Sequence, residues 1–287
     1  MANLKEIRLR ITSVGSTMQI TSAMKMVSAA KLKRAQDAII QMRPYANKLS
    51  ELLENLSSSL DGSEGGVYAK DREIKNTLLV AITSNRGLCG GFNAYIFKKV
   101  KRLIENEYSN SNVGILSIGK KSTEHFQKGK FNLVSSHDEL FSELTFDNVA
   151  TIAEGIMNQF VSGEYDKVVL VYNQFKNAAT QIIMSEPFLP IQAKENQDII
   201  VGDYLFEPTK EEIVEKLIPK SLKTQLFKAI LDSHAAEHGA RMTAMHKATD
   251  NASDLRDELT LTYNKARQAA ITAEILEIVG GAEALKG

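Results

Sequence analysis

Four groups of residues in this chain have the types and spacing that chemistry needs. His234-Ala-Ala-Glu-His238 matches the His-x-x-Glu-His pattern of a zinc peptidase. On a helix, residues four apart share a face, so both imidazoles and the Glu237 carboxylate would stand together as two ligands and a general base. Two histidines do not close a ligand set, and no third ligand stands at a diagnostic spacing, although His246 lies two turns on. A peptidase site also needs a concave pocket, which a thin helical rod does not offer. The competing reading, polar residues on a solvated helix face, is preferred.

Asn85-Arg-Gly-Leu-Cys-Gly-Gly91 falls between a strand and a helix, where nucleotide-binding folds place their phosphate loop. A Walker loop ends in Gly-Lys-Ser/Thr, whereas Gly91 is followed by Phe92-Asn93. Glycines at 87, 90 and 91 do not make Gly-x-Gly-x-x-Gly, and no acid ends the next strand, where Ile118-Gly119-Lys120 stands. A tight strand-to-helix turn that needs glycine backbone angles is the better reading. Cys89 has no histidine near it in sequence, so it reads as a structural thiol rather than a nucleophile. The basic stretch Lys25–Arg34 has three readings. It grips a nucleic-acid backbone, for which it lacks interleaved aromatics; it is a solvated rod face; or it docks against acidic protein loops.

The elements that must carry these residues are unusual in length. Alternate steps of three and four from Leu4 to Leu60 meet an apolar residue at fourteen of seventeen positions, a stripe sustained over about eight heptads. Only Pro44 interrupts it, as a local kink. The spacing predicts a helix over 3–59, roughly 85 Å long. At the other end, 209–218 reads as a short helix, and Pro219 suits the first turn of a second one reaching 279, roughly 90 Å long. Its stripe is small-sided: Met245, Ala248, Ala252, Leu255, Leu259, Thr262, Ala266, Ala269, Ala273 and Leu276. Two such helices most simply pair antiparallel, and alanine-rich seams let them approach closely.

Between them the period changes. Strands are predicted at 77–84, 113–118, 131–135, 167–175 and 180–188, the last paired with its predecessor as a hairpin. Helices are predicted at 93–107, 120–128 and 146–161. Strands alternating with helices imply a parallel sheet covered on both faces. Gly62–Gly66 links into this region and Ala193–Asp203 links out of it. The expected fold class is α/β: an antiparallel coiled coil of N- and C-terminal helices (1–60 and 209–287) with an inserted Rossmann-like α/β domain (74–192).

Bulk properties fit a chain with a sizeable core. Of 287 residues, 43% are hydrophobic and 24% charged, with 35 basic and 35 acidic side chains. The balance hides an asymmetry, since residues 1–48 hold nine bases against Glu6 and Asp37. A basic segment of this kind points to an acidic neighbour. The single cysteine rules out an internal disulfide and fits a reducing compartment. No signal or transit pattern and no transmembrane run is read.

Both long helices resemble those of the gamma subunit of F-type ATP synthases. The resemblance rests on Lys5-Glu6-Ile7-Arg8, Ile20–Val27, Arg43-Pro44-Tyr45, Arg86–Asn93, Asp203–Pro208, Ala240–Met245, Ala248–Ala252 and Tyr263–Thr272. These motifs stand in order over the whole chain. The resemblance implies a central-stalk rotor of the proton-transporting ATP synthase, with no active site, cofactor or metal of its own. Its partners would be three alpha and three beta subunits, the epsilon subunit and the ring of c subunits, without nucleic acid and without insertion in the membrane. Position by position, Arg267 and Gln268 match residues that bond a beta-subunit loop. Met24, Lys25 and Arg241 match the region facing an acidic beta loop, a partner that suits the basic N-terminal face. Tyr204, Phe206 and Glu207 match the foot on the c ring, and Arg86 lies in a turn near the shaft. Small tip residues (Ala23, Ala29, Ala30, Ala269, Ala270, Ala273) would let a shaft slide in its bearing. The expected location is the cytoplasmic side of a bacterial inner membrane, as a peripheral protein. The plant-type regulatory cysteine pair is absent, which argues against thiol switching. A zinc peptidase and a plain coiled-coil scaffold are the alternatives.

Overall fold

The structure, a computed structural model, describes residues 4–58, 67–68, 72–191 and 210–284. The elements are α1 (Leu4–Ser58), β1 (Asn76–Ile82), α2 (Phe92–Arg102), β2 (Asn112–Ile118), α3 (Lys120–Lys128), β3 (Leu133–His137), α4 (Phe146–Val161), β4 (Lys167–Phe175), β5 (Gln181–Leu189) and α5 (Lys210–Ala284). One π-turn, Leu103–Glu107, extends α2. The five strands form one sheet in the order β3-β2-β1-β4-β5. β1, β2, β3 and β4 pair in parallel, and β5 returns antiparallel to β4.

Alternation along the strands builds two cores. Leu78, Val80 and Ile82 of β1 join Val168 and Leu170 of β4 on one face, packed by Ile152, Ile156 and Phe160 of α4. Ile218, Leu222, Leu226, Ala229 and Ile230 of α5 complete that same core. Leu79 and Ala81 face the other way with Ile115, Val169 and Val171, under Ile96 and Val100 of α2 and Phe126 of α3. Strands buried on both faces are why the β1 and β4 segments read as unbroken apolar runs.

Compactness divides the chain into Met1–Ser28 with Met242–Gly287, and Ala29–Arg241. In the first unit the Thr249 hydroxyl donates to Thr21 Oγ1 at 2.8 Å, and Lys25 Nζ lies 3.2 Å from His246 Nδ1. Pairing that rises along α1 while falling along α5 is antiparallel. Ile7, Thr21, Met245 and Ala252 are buried there. Every described residue from Arg267 to Ala284 is exposed. In the second unit Leu32, Ala35, Ile39, Ala46 and Leu49 are buried. Arg43 Nη2 meets Asp232 Oδ1 at 3.3 Å, and Lys220 Nζ lies 5.7 Å from the centre of the Tyr45 ring, so the helices are antiparallel here as well.

Two expectations are corrected. The break expected before Pro219 does not occur, because α5 runs through it. Ile218 and Leu222, buried on either side of the proline, hold the chain on the sheet while one backbone bond is lost. The α5 stripe covers less than its length. Leu255 is 45% exposed and Leu276 66%, and Ala269 and Ala273 are exposed too, since the stripe outruns the residues that could cover it. The α1 stripe holds from Leu4 to Leu49, where none of its positions is exposed. The side chains of Leu53 and Leu56, together with Leu60 and the two links at 62–66 and 193–203, lie outside the described residues.

Candidate functional site

At the carboxyl end of β1 the chain turns sharply into α2. Leu88 and Gly90 take positive φ of 61° and 60°, and the amide of Phe92 donates to the carbonyl of Cys89. This conformation turns the carbonyls of Arg86 and Gly87 toward α5. There Arg241 Nη2 donates to Arg86 O at 2.9 Å and to Gly87 O at 3.2 Å, and Nε donates to Gly87 O at 3.3 Å. Nη1 donates to Glu237 Oε1 at 2.6 Å. A phosphate cradle presents N–H groups, whereas this turn presents oxygens and holds a cation.

The neighbouring helix start is closed as well. The first amides of α3 are taken by Asn85 Oδ1 (Lys120), Ser84 O (Lys121) and Thr83 Oγ1 (Ser122). Gly119, at φ 103°, lies so near that an added Cβ would stand 2.3 Å from Thr83 O. These geometries remove the nucleotide reading from both turns. Cys89 is 2% exposed, and Asn93 Nδ2 lies 3.4 Å from its sulfur. Burial raises its thiol pKa, opposed by the Ser84 hydroxyl and the Arg241 charge. It is a structural thiol, as read.

The histidine segment is not a solvated face. His238, Glu237 and Arg241 are buried at 5%, 7% and 7% exposure, and His234 is partly buried, with its ring stacked on Phe141 at 5.7 Å. The two Nε2 atoms lie 3.1 Å apart, and Arg241 Nη1 lies 3.4 Å from His238 Nδ1. Burial pushes the His234 imidazole down to about 4 and that of His238 down to about 3, with Arg241 and Lys31 adding repulsion. Burial raises Glu237 against the pull of Arg241. Two imidazoles beside a guanidinium and an ammonium make a poor cation site. Among the described residues no group of three or more His, Cys, Asp or Glu is placed to hold a metal.

The remaining sequence-derived positions are scattered. Arg241, expected to face an outside acidic loop, is instead spent on Glu237 and the glycine turn, because α5 packs that face against the turn. Arg86 contributes its carbonyl inward while its side chain stays exposed. Met24 is partly buried, and Lys25 is turned to His246. Arg267 and Gln268 are fully available on the exposed end of α5. Tyr204, Phe206 and Glu207 lie outside the described residues. Sequence reading missed Asp232, 0% exposed and gripped by Arg43, whose carboxyl pKa is raised by burial. The signal for Glu237–Arg241 was present, since opposite charges four apart on a helix are placed to pair.

The comparisons with known proteins agree with one another. The family model described as ATP synthase matches residues 3–285. The ATP synthase gamma chain of Flavobacterium psychrophilum is 65% identical, and that of Christiangramia forsetii 60%, each over 100% of both chains. Among solved structures, a chain of the Tetrahymena thermophila mitochondrial ATP synthase central stalk and c-ring superposes with a TM-score of 0.63 at 29% identity. It covers 80% of this chain and 99% of that one. A chain of the Euglena gracilis mitochondrial ATP synthase reaches 0.71 at 22% identity, over 98% and 94%, and speaks for the fold alone.

Proposed function

The chain belongs to the gamma-chain family of ATP synthases, and we propose that it is the rotating central shaft of such an enzyme, turned by a c ring and driving three beta subunits in turn. The observation that carries this reading is the state of α5 from Arg267 to Ala284. It is exposed on every side, yet Ile271, Ile275, Leu276, Ile278 and Val279 are 48–66% accessible. Glu274 and Glu277 share the stretch, so these side chains form one broad apolar face, and such a face is made to be covered. A ring of alpha and beta subunits supplies that cover, and the small residues Ala269, Ala270 and Ala273 give it few deep contacts to stall in.

The chemistry of ATP belongs to the ring, so this subunit transmits torque and carries no catalytic group. Arg267 and Gln268 bond a beta-subunit loop, and Met24 and Lys25 stand on the face that meets an acidic one. Tyr204, Phe206 and Glu207 form the foot on the c ring, beside the epsilon subunit. The functional parts are the two terminal helices, 1–60 and 209–287, and the α/β body at 74–192. No described helix is long and apolar enough to cross a membrane. The chain is held at the cytoplasmic side of a bacterial inner membrane through its partners.

The test uses the assembled enzyme. Arg267→Ala with Gln268→Ala is expected to lower ATP synthesis and hydrolysis about ten-fold or more while the chain still folds and assembles. Unchanged turnover would remove these two residues from the role. A purified chain that fails to restore ATPase activity to alpha and beta subunits would leave a plain scaffold as the better reading.

A further inference from the structure

The His234 and His238 rings meet through the same atom, Nε2 to Nε2 at 3.1 Å. One hydrogen fits between two such nitrogens, and Arg241 decides which ring carries it. A guanidinium only donates, and its Nη1 lies 3.4 Å from His238 Nδ1. That nitrogen is therefore bare, and the His238 hydrogen sits on Nε2. His234 accepts at Nε2 and keeps its own hydrogen on Nδ1. The donors run one way, from Arg241 to His238 to His234.

A second proton has no place in this chain. On His238 Nδ1 it would point at the guanidinium, and on His234 Nε2 it would meet the His238 N–H head on. The surroundings do not offset it. α5 supplies Arg241 and Glu237, and α1 supplies the Lys31 charge. The glycine turn supplies Cys89, a buried thiol kept neutral, and the Leu140–Ser142 turn supplies the uncharged Phe141 ring. Glu237 is the anion of the group, and Arg241 Nη1 already holds it at 2.6 Å.

We propose that His234, His238 and Arg241 form a proton-controlled clasp, which binds α5 to the Arg86 and Gly87 carbonyls while both rings are neutral and releases that turn when either ring takes a proton. Arg241 is the transmitting part. Its Nη1 faces Glu237 and His238, while Nη2 and Nε of the same rigid plane hold the turn. An imidazolium beside it repels the guanidinium, and the plane cannot swing away without dropping both carbonyls. His234 carries the same event to the second turn through its stack on Phe141. The clasp stays shut at neutral pH and opens only under acid.

Imidazole nitrogen–hydrogen correlation spectra of the full chain at neutral pH read the tautomers directly. The expected result is an Nε2–H on His238 and an Nδ1–H on His234. Amide exchange at residues 86–92, corrected for intrinsic rates and followed from about pH 7 to about pH 4, is expected to lose protection as acid is added. The double variant His234→Leu, His238→Gln keeps an acceptor for Arg241 and removes both titrating rings, and it is expected to hold protection through that range. The opposite tautomers in the unaltered chain, or a turn that opens at the same pH in the variant, would overturn the clasp. If the variant does not fold, the tautomers decide alone.

Discussion

Replacing Arg241 with Ala strands a carboxylate. Glu237 is 7% exposed and would lose its cation, while two turn carbonyls lose their donors. Breaking a buried pair from one side costs about 3–5 kcal/mol, and the denaturation midpoint should fall accordingly. Arg241→Lys is expected to recover only part of this, because an ammonium cannot span two carbonyls and a carboxylate in one plane. The histidine pair sets a pH dependence. Unfolded histidines titrate near 6.5 and the folded ones near 4 and 3, so the unfolded state binds protons first as acid is added. Their contribution to stability is complete above about pH 6.5, fades as pH falls through the range below it, and changes no further under the folded values. Its steepest part is at most about 100-fold in the unfolding constant per pH unit, for two protons. Denaturant titrations at a series of pH values measure it, and the slope should flatten in His238→Gln. At this scale the sequence was half legible. The glycine turn was readable as no phosphate site from its residue order. The histidines were misread as solvated, because Phe141, which stacks on His234, and Lys31, whose charge bears on both rings, come from distant parts of the chain.

Among the elements, α1, α3 and α4 could be outlined from periodicity and β4 from its unbroken apolar run, because each buries its own apolar pattern against a fixed partner. α5 could not be outlined so well. Its stripe from Ala269 to Leu276 obeys the helical period, yet period alone does not say whether another part of the same chain is there to meet it. Pro219 was read as a start signal, a local rule that the packing of Ile218 and Leu222 overrides. Gly239, the lone glycine between Pro219 and Gly280, has its reason in tertiary structure: a Cβ there would stand 3.2 Å from Ala178 Cα in the β4–β5 turn. Gly119 gives the sharper prediction. At φ 103°, with Thr83 O at 2.3 Å from an added Cβ, Gly119→Ala adds steric overlap to a strained backbone. A loss of about 2 kcal/mol or more in thermal or denaturant unfolding is expected, and a smaller loss would show that the β2–α3 junction yields easily.

For the whole molecule, the family follows from motifs spread over the full length and from comparisons that agree on the same protein. The assignment of residues to partners is a proposal that rests on the exposed end of α5 and the basic N-terminal stretch, and the assembled enzyme decides it. The shared core of the sheet and α5 has a practical corollary. Excising 72–191 as a separate protein would leave Leu78, Val80, Leu170 and Tyr172 without the cover that Leu222, Leu226 and Ile230 give them. Such a fragment is expected to precipitate, or to bind hydrophobic dyes more strongly than the intact chain. Soluble, cooperatively melting material would refute that dependence. The sheet and the helix share one interior and are expected to melt together: twisting force applied to α5 reaches a body that cannot let go of it without opening that core.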